Sequence, residues 1–158
     1  MNYWLMKSEP DEVSIDDLAR LPRRTTPWFG VRNYMARNYM RDMMAVGDRA
    51  FFYHSSCPLP GIAGIVEITR KAYPDATQFD PKSPYYDAKA TREAPRWQNV
   101  DVTFREKTRL VGLDELRAQR ALAGMVVLRR GNRLSITPVT PAEWAAIVKL
   151  AARPAPAP

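Results

Sequence analysis

Cysteine and histidine are almost absent from this sequence. One cysteine, Cys57, and one histidine, His54, occur among 158 residues, so a monomer can form neither an internal disulfide nor a Cys/His zinc cluster. So little cysteine is typical of a protein from a reducing compartment. No run approaches the ~20 apolar residues of a membrane span, and the apolar stretch at the N-terminus is too short for a signal peptide. We therefore expect a soluble cytoplasmic protein, with association with the nucleoid as the alternative.

Motifs of the common enzyme classes are also missing. The sequence contains no G-x-S-x-G elbow, no P-loop and no dinucleotide-binding fingerprint. Residues 54–57 (His-Ser-Ser-Cys) offer a base and nucleophiles. Adjacent side chains of an extended strand point to opposite faces, however, which leaves only His54 and Ser56 on a shared face. We predict a protein without enzymatic activity, metal or cofactor.

Positive charge is what the sequence has in excess. It carries 24 Lys and Arg residues against 17 Asp and Glu, a formal net charge of +7. A basic surface attracts nucleic acid because binding releases the counterions condensed on the phosphates, whatever the base sequence. The charge favours a polyanionic partner. Many basic proteins bind no nucleic acid specifically, so the sequence must also supply a shaped site.

Hydrophobic patterning predicts an α+β fold of one domain spanning residues 1–150. The predicted strands cover residues 3–7, 49–54, 62–69 and 97–104, with a basic hairpin over residues 126–136, and the predicted helices cover residues 14–21, 33–43, 113–122 and 140–150. This order favours a small, mostly antiparallel β-barrel or sheet with flanking helices. Residues 73–95 form a long loop, and residues 151–158 form an Ala/Pro tail that we expect to be disordered.

Three positions carry specific local signals. Ser14 and Asp17 have the spacing of a helix capping box. Thr140 and Glu143 form a second box around a proline at the first helical position. Gly64 interrupts a β-rich stretch, where a glycine indicates a bulge or a close approach of backbone.

The most informative stretch is residues 28–38, Trp-Phe-Gly-Val-Arg-Asn-Tyr-Met-Ala-Arg-Asn. A tryptophan turn offers a flat surface on which a base can stack, and the helix after it carries amides and guanidinium groups that suit base edges and phosphates. An ordinary amphipathic helix is the alternative interpretation. In that case Met35, Ala36, Tyr39, Met40 and Met43 form an apolar arc, and Asn33, Arg37, Asn38, Arg41 and Asp42 form a polar one.

Five separated segments together resemble the EVE domain family. They are residues 3–10 (YWLMKSEP), 28–38, 52–55 (FYHS), 64–66 (GIV) and 133–139 (RLSITPV), and the match spans about residues 2–150. The resemblance implies a PUA-like fold, a small β-barrel with flanking helices similar to PUA, ASCH and YTH domains. It also implies a cleft that accepts a flipped-out modified base, chiefly a modified cytosine in DNA. We therefore predict a nucleic acid with modified bases as the partner, DNA before RNA, and neither a membrane nor a metal.

The resemblance also implies site roles for individual residues of this chain. Its motifs fall on Lys7, Ser8 and Glu9, then on Trp28, Gly30, Val31, Arg32, Asn33, Arg37 and Asn38, and then on His54, Ser55 and Ser56. We expect base contacts from Lys7, Ser8, Glu9, Trp28, Gly30, Val31, Asn33, Asn38, Ser55 and Ser56. Trp97 is the candidate for a second aromatic wall, because it breaks the apolar phase of its strand. Arg32, Arg37 and Arg41 are the expected phosphate contacts. Family members often have glutamine where this chain has Met35, a change that we expect to affect packing more than contact.

The triplet Lys7, Ser8 and Glu9 suits the polar edge of cytosine. A carboxylate can accept from the N4 amino group, and ammonium or hydroxyl groups can donate to O2 and N3. The structural alternative is a simple strand-end turn before Pro10.

Structural alternatives also stay open elsewhere. Trp28 could cover the end of the core, Gly30 could serve only its turn, and Asn33 could cap the helix. Most exposed arginines are simply solvated, which applies to Arg32, Arg37 and Arg41 and to the further candidates Arg23, Arg24, Arg129, Arg130 and Arg133. Arg23 and Arg24 have the weakest claim, because no neighbouring residue suggests a pocket. For the whole chain, a reader of modified RNA and a protein-interaction module with a vestigial pocket remain as alternatives.

Overall fold

The computed structural model describes residues 1–156 and contains one six-stranded sheet. The strands are β1 (Tyr3–Ser8), β2 (Thr25–Pro27), β3 (Arg49–His54), β4 (Gly61–Pro74), β5 (Gln98–Gly112) and β6 (Ile136–Val139). The α-helices are α1 (Ile15–Arg20), α2 (Tyr34–Asn38), α3 (Leu113–Arg117) and α4 (Pro141–Ala151). The predicted α+β class is confirmed.

The sheet is open, with the spatial order β2-β5-β4-β3-β1-β6. β1 and β3 run parallel, and the other neighbouring strands are antiparallel. This agrees with the prediction of a mostly antiparallel sheet. Within residues 1–156 no pairing between the edge strands β2 and β6 closes a barrel, so the predicted barrel is not confirmed. Both edge strands are short and contain a proline, Pro27 or Pro138, which cannot donate to a further strand.

Side chains alternate along each strand, so apolar residues point to both faces of the sheet. Helices cover both of these faces. On one face, called the α2 face, Trp4, Met6 and Phe52 pack with residues of α1 and α2. On the other, called the α4 face, Leu5 and Phe51 pack with residues of α3 and α4. The helices contribute Ile15, Leu18, Ala36, Leu116, Ile147 and Leu150 to these two cores.

The parallel strands β1 and β3 end side by side. Ser8 pairs with His54 at these ends, and the Ser55 amide donates to the Ser8 carbonyl over 2.9 Å. The Lys7 amide donates to the Ser135 carbonyl over 2.8 Å, which brings the loop before β6 to the same place. Loops that leave adjacent strand ends form a crevice here, and the candidate site lies in it.

Both predicted capping boxes are present. The Ser14 hydroxyl accepts from the Asp17 amide and the Asp17 carboxylate accepts from the Ser14 amide, each over 3.0 Å. Thr140 and Glu143 make the same reciprocal bonds at the start of α4, over 2.9 and 3.1 Å. Local sequence therefore determines where these two helices begin.

The predicted helix over residues 33–43 changes its period. After α2, residues Tyr39–Met43 form a π-helical turn, in which the Met44 amide donates to the Tyr39 carbonyl over 2.9 Å. The wider turn keeps Met44 in the core. Met35 and Met43, which a regular helix places on the apolar arc, are each 52% exposed. The apolar arc was therefore wrong for both methionines: Met43 lies in the π-helical turn, and Met35 lies before it, in α2.

The predicted basic hairpin over residues 126–136 is absent. Residues Val126–Leu128 form a 3₁₀ turn that buries Val127 on the α4 face, and pairing with β1 starts only at Ile136. β1 already has β3 on its other side, so it offers one free edge, and β6 occupies it. Residues 129–135 form a loop instead, with Gly131 at φ +76° in its turn.

The other boundaries also moved. β4 and β5 contain 14 and 15 residues and extend well beyond the predicted strands. α3 ends at Arg117 and is followed by a 3₁₀ turn, Arg120–Leu122. α4 includes Ala151, the first residue of the predicted tail. Residues 152–156 contain no helix or strand, and the expectation of disorder for residues 157 and 158 lies outside the described residues. Within the described part of the chain, no helix has the length and apolarity needed to cross a membrane.

Candidate functional site

A cavity of about 480 Å³ opens where β1 and β3 end. Its volume lies in the usual range for small-molecule sites. The predicted base contacts that line it are Lys7, Ser8, Glu9, Trp28, Gly30, Val31, Asn33, Ser55 and Ser56. The lining also contains Glu12, Val13, Thr26, Pro27, Phe29, Tyr85 and Ser135, which sequence reasoning missed, together with Arg32 and Arg133.

A buried carboxylate holds the turn that follows β2. The Trp28 amide donates to the Val100 carbonyl over 2.7 Å, and the Gly30 amide donates to the Asp75 carboxylate over 2.8 Å. Asp75 is fully buried and also accepts from the amide and hydroxyl of Thr77. Satisfied buried polar groups of this kind fix a loop in one conformation.

Trp28 belongs both to the core and to the cavity. Its ring is only 8% exposed and meets Phe52 edge-on, with 5.5 Å between the ring centroids. Trp28 also lines the cavity. The tryptophan turn is therefore less exposed than the sequence implied, and removing the ring will cost core packing as well as any stacking on a ligand.

Tyr85 supplies a second aromatic surface in the cavity. A Cβ at Gly30 would lie 2.8 Å from Tyr85 Cζ, so only glycine leaves room for the ring. Gly30 also has φ +81°, in the region that favours glycine. The Tyr85 hydroxyl donates to the Glu12 carboxylate, and this bond, with burial, raises the pKa of Tyr85 to about 12. The only sequence signal for this surface was Gly30, since the loop that carries Tyr85 has no periodicity.

Arg32 holds Tyr85 in place and has no donor left for a phosphate. Its Nε and Nη2 atoms donate to the Tyr85 carbonyl over 3.0 and 2.7 Å. Nη1 donates to the Val31 carbonyl and the Asp75 carboxylate, and Nη2 donates to the Thr77 hydroxyl. A guanidinium has five N–H donors, and these contacts use all of them. The phosphate contact predicted for Arg32 stays a prediction, and it would require the guanidinium to give up one of these bonds.

The end of β1 presents acceptors at the cavity. The Ser8 hydroxyl donates to the Val13 carbonyl over 2.6 Å, so towards a ligand it can only accept, contrary to the donor role expected for it. The Glu9 carboxylate is exposed and makes no hydrogen bond or ion pair within residues 1–156. The Lys7 ammonium lies 5.8 Å from the centre of the Tyr53 ring, and burial lowers its pKa. Lys7 is thus the donor of this group.

His54 and Gly64 fix the turn that carries Glu9 and Glu12. The Ile15 amide donates to His54 Nε2 over 3.1 Å, so this nitrogen accepts and the imidazole is neutral. Burial is the main cause that lowers the pKa of His54. A Cβ at Gly64 would lie 2.6 Å from Ile15 Cδ1 and 2.7 Å from the Glu106 carbonyl oxygen, and the second contact confirms the close approach of backbone predicted at this glycine. His54 supports the wall from outside the cavity lining.

Polar residues from two other loops complete the lining. Ser55 and Ser56 follow β3, and Ser56 adopts a left-handed backbone with φ +53°. Asn33 Oδ1 accepts from the Ala36 amide over 3.1 Å as the N-cap of α2. The helix-cap interpretation of Asn33 is therefore correct, and the residue also faces the cavity.

Arg37, Asn38 and Arg41 lie outside the cavity lining. Arg37 donates twice to Asn38 Oδ1, over 3.1 and 2.8 Å, and once to the Arg96 carbonyl over 2.8 Å. Arg41 pairs with Asp42 over 2.8 Å at an exposed position. The base contact predicted for Asn38 stays a prediction: here its carbonyl oxygen accepts from Arg37, and the residue lies outside the cavity lining.

Trp97 is also outside the cavity lining. Its ring is 6% exposed and stacks on Tyr34 with 4.8 Å between centroids, and its indole N–H donates to Asp87 over 2.8 Å. It lies 5.3 Å from the Arg32 guanidinium and so supports that side chain. Trp97 as the second aromatic wall stays a prediction: in this structure the residue precedes β5, lies outside the cavity lining and bonds to a loop carboxylate.

Within residues 1–156 no group of three His, Cys, Asp or Glu side chains is placed to hold a metal ion. The site is therefore described by its aromatic surfaces, its acceptors Ser8 and Glu9, and its donor Lys7.

Comparison with known sequences shows close relatives over nearly the whole chain. Thymocyte nuclear protein 1 from Homo sapiens is 44% identical over 167 residues, which cover 94% of this chain and 73% of the human protein. The protein of the same name from Gallus gallus is 45% identical, with 94% and 68% covered.

Solved structures agree with this relationship. A protein from Pseudomonas putida is 56% identical, with a TM-score of 0.90 and coverage of 94% of this chain and 98% of that one. The crystal structure of human THYN1 protein in complex with 5-methylcytosine containing DNA has a TM-score of 0.91 at 42% identity, with 98% and 100% covered. The ASCH protein of Zymomonas mobilis, 11% identical with a TM-score of 0.56, shares the fold alone.

The EVE domain model matches residues 2–150. With this match and with these relatives, the chain belongs to the EVE domain family.

Proposed function

We propose that this chain binds DNA containing a modified cytosine and takes that base, flipped out of the duplex, into the cavity at the end of β1. The observation that carries the proposal is the relative just described. Human THYN1 protein was crystallised with 5-methylcytosine containing DNA, and this chain is 42% identical to it over almost its full length. The proposal places the protein in a compartment where it has access to DNA.

The aromatic part of the cavity suits a base. Trp28, Phe29 and Tyr85 line it, and bases that have left the stack are usually received between aromatic and apolar side chains. The Phe29 and Tyr85 rings meet edge-on with 5.9 Å between centroids, so they form one continuous surface. Val13 and Val31 add apolar atoms against which a methyl group at cytosine C5 can pack.

The polar part suits the Watson–Crick edge of cytosine. Glu9 and Ser8 can accept from the N4 amino group, and the Lys7 ammonium can donate to O2 or N3. A guanine or thymine presents different donors and acceptors on this edge, so the same residues discriminate against them. We assign these three residues to base recognition.

We infer that the chain binds this base without chemical reaction. The one cavity hydroxyl bonded to a carboxylate, that of Tyr85 on Glu12, has its pKa raised to about 12 and so stays protonated, which makes it a poor nucleophile. The Ser8 hydroxyl donates to the Val13 carbonyl, and His54 accepts from the Ile15 amide behind the wall.

A panel of matched oligonucleotides tests the proposal. Duplex DNA with one central 5-methylcytosine, the same duplex with plain cytosine, and the corresponding RNA pair are titrated at two salt concentrations. We expect the methylated DNA to bind most tightly, and its advantage over plain DNA to be independent of salt, because phosphate contacts are common to both duplexes. Equal affinity for the two duplexes refutes modified-cytosine recognition, and a preference confined to the RNA pair assigns the site to RNA.

Two tryptophan variants, one on each face of the sheet, test whether the base binds in the cavity. Trp28→Phe shortens the ring that lines the cavity, whereas Trp144→Phe shortens a ring stacked on Phe51 at the α4 face. We expect only Trp28→Phe to reduce the preference for methylated DNA, by less than the ~1–3 kcal/mol that removing a stacking ring costs. An equal loss in both variants would move the site away from this cavity.

A further inference from the structure

One segment of the chain carries several arginines and no acidic residue. Residues 116–142 contain five arginines and no aspartate or glutamate. These arginines, all exposed, are Arg117, Arg120, Arg129, Arg130 and Arg133. Within residues 1–156, none of them is in an ion pair. The basic side chains that are paired are Arg32, Arg41, Arg49, Arg105, Lys107 and Arg109.

The loop in this segment borders the cavity. Arg133 and Ser135 line it, and the Ser135 carbonyl accepts from the Lys7 amide over 2.8 Å, which attaches the loop to β1. The Asn132 amide donates to the Arg129 carbonyl over 3.1 Å and closes a turn. Asn132 Oδ1 also accepts from the Leu134 amide over 3.2 Å. The loop therefore has a defined shape beside the site.

A second cation faces the cavity beside this loop. Lys7 and Arg133 both line the cavity, and the Lys7 ammonium lies 5.8 Å from the centre of the Tyr53 ring.

We propose that Arg129, Arg130 and Arg133, called the arginine loop, contact the DNA phosphates that flank the bound base. This inference rests on the proposed function. A base inserted in the cavity remains joined to its own backbone, so its neighbouring phosphates must lie at the cavity rim, where Arg133 stands. Exposed guanidinium groups without a carboxylate partner can bind phosphate oxygens in a bidentate manner and displace condensed counterions without breaking an ion pair.

Among the arginines considered from sequence, those of the arginine loop have fewer competing contacts within residues 1–156 than Arg32, Arg37 and Arg41. Arg32 has used all its donors on Tyr85 and its neighbours, and Arg41 is already paired with Asp42. Arg37 is held by Asn38 and Arg96, away from the cavity lining. A phosphate bound at these positions would compete with interactions inside the protein, whereas one bound at the arginine loop would not.

Salt dependence of binding tests the arginine loop. Arg129→Ala, Arg130→Ala and Arg133→Ala, singly and combined, are titrated with the methylated and plain duplexes at several salt concentrations. Each lost phosphate contact should make the plot of log affinity against log salt shallower by about 0.9 on duplex DNA. Affinity should fall by a similar factor for both duplexes, because phosphate contacts carry no sequence information.

Arg105→Ala is the matched control. It removes the same charge, but Arg105 pairs with Glu67 over 2.9 Å on the exposed part of β5. A shallower slope in the loop variants and an unchanged slope in Arg105→Ala support the inference. An unchanged slope in the combined loop variant overturns it, and so does an equal reduction in Arg105→Ala, which would indicate a diffuse effect of net charge.

The two proposals fail separately. If the parent protein does not distinguish methylated from plain duplex, the proposed function fails whatever the slopes are. If the parent distinguishes them and the combined loop variant keeps the parental slope, only the arginine loop is excluded. Thermal unfolding of each variant confirms that the fold is retained, and Arg133→Lys should keep most of the slope because the charge remains.

Discussion

The two faces of the sheet are covered in different ways. On the α4 face, Trp144 stacks on both Tyr3 and Phe51, with 4.6 and 4.0 Å between ring centroids, under a helix of 11 residues. On the α2 face, α1 and α2 have only six and five residues, and the cavity opens beside them. The α2 face therefore opens at the ends of β1 and β3, whereas on the α4 face the apolar packing around Trp144 lies beside a second cavity, lined by residues of α3 and of the C-terminal segment.

The interactions that hold the two faces differ accordingly. The α4 face combines contacts between rings and aliphatic side chains, which carry no direction, with the bonds of Arg109 to the Glu115 carboxylate and to the carbonyls of Leu150 and Arg153. The cavity on the α2 side is held by directed bonds, from Gly30 to Asp75, from Arg32 to the Tyr85 carbonyl and from Ile15 to His54. Apolar packing stabilises the fold here, and directed polar bonds set the shape of the site.

The variant with the largest expected effect should lose stability but keep its binding preference. Phe51→Ala removes a ring that is 1% exposed and stacked on Trp144. We expect the free energy of unfolding to fall by about 3–5 kcal/mol, the usual cost of deleting a buried aromatic ring. Urea denaturation measures this loss, and titration of the folded variant with methylated and plain duplexes should still show the parental preference. A lost preference in folded protein would mean that the two faces are coupled.

Two glycine variants test whether Tyr85 contributes to binding on the α2 face. Gly30→Ala would place a Cβ 2.8 Å from Tyr85 Cζ at φ +81°, whereas Gly47→Ala would introduce the same backbone strain at φ +97° with nothing within 4 Å. Both variants should lose about 1–2 kcal/mol of stability from the left-handed backbone. Only Gly30→Ala should also displace Tyr85 and weaken binding of the methylated duplex, by about 1–3 kcal/mol if the ring contacts the base. Equal binding by the two variants would remove Tyr85 from the site.

The parts of the fold that sequence predicted correctly depend on local signals. The capping box of Ser14 and Asp17 involves residues three apart, and its hydrogen bonds are present. Closure of a barrel depends instead on whether distant edge strands meet. β2 has only three residues, too few to leave a periodic pattern, so neither its existence nor its position at the sheet edge could be predicted.

At the candidate site, too, local motifs were predicted from the sequence and contacts between distant residues were not. Motif resemblance identified Lys7, Trp28 and Gly30, which do line the cavity. It missed Tyr85, whose hydroxyl bonds to a residue 73 positions earlier, and Asp75, whose carboxylate bonds to an amide 45 positions earlier. Contacts over such separations depend on how β4 and β5 pair. Nothing in the loop sequence itself indicates which of its side chains turns inward.

A smaller effect is expected at the polar edge of the cavity. Glu9→Gln keeps an acceptor but adds an amide donor and removes the charge, so it should reduce discrimination by about 1 kcal/mol while bulk affinity changes less. Competition titrations with duplexes that differ in one base measure the discrimination. Glu93→Gln, at an exposed position outside the cavity, is the matched control. If Glu9→Gln preserves the parental preference, Glu9 does not read the base.

The last expected effect is a dependence of stability on pH, which comes from a residue of the α2 side. His54 is the one histidine of the chain, and its Nε2 must stay unprotonated to accept from the Ile15 amide. Burial lowers its pKa most, the Lys107 ammonium lowers it further, and the carboxylates of Asp16 and Asp17 oppose both.

The sign of the effect follows from that lowered pKa. In the unfolded chain the imidazole titrates near its ordinary value of about 6.5, so between that pH and the lower pKa of the fold the unfolded state binds more protons. The stabilising contribution is therefore fully present above about pH 6.5 and is lost as the pH falls towards the folded pKa, with a slope of at most about 1.4 kcal/mol per pH unit. Urea denaturation of the parent and of His54→Gln between pH 7.5 and pH 5 should show this slope in the parent alone.

The same titration should also affect binding. Because Ile15 follows the turn that carries Glu9 and Glu12, the preference for methylated duplex should weaken in the parent over the same range. Parallel stability curves for the two proteins would show that His54 does not hold the cavity wall through its neutral imidazole.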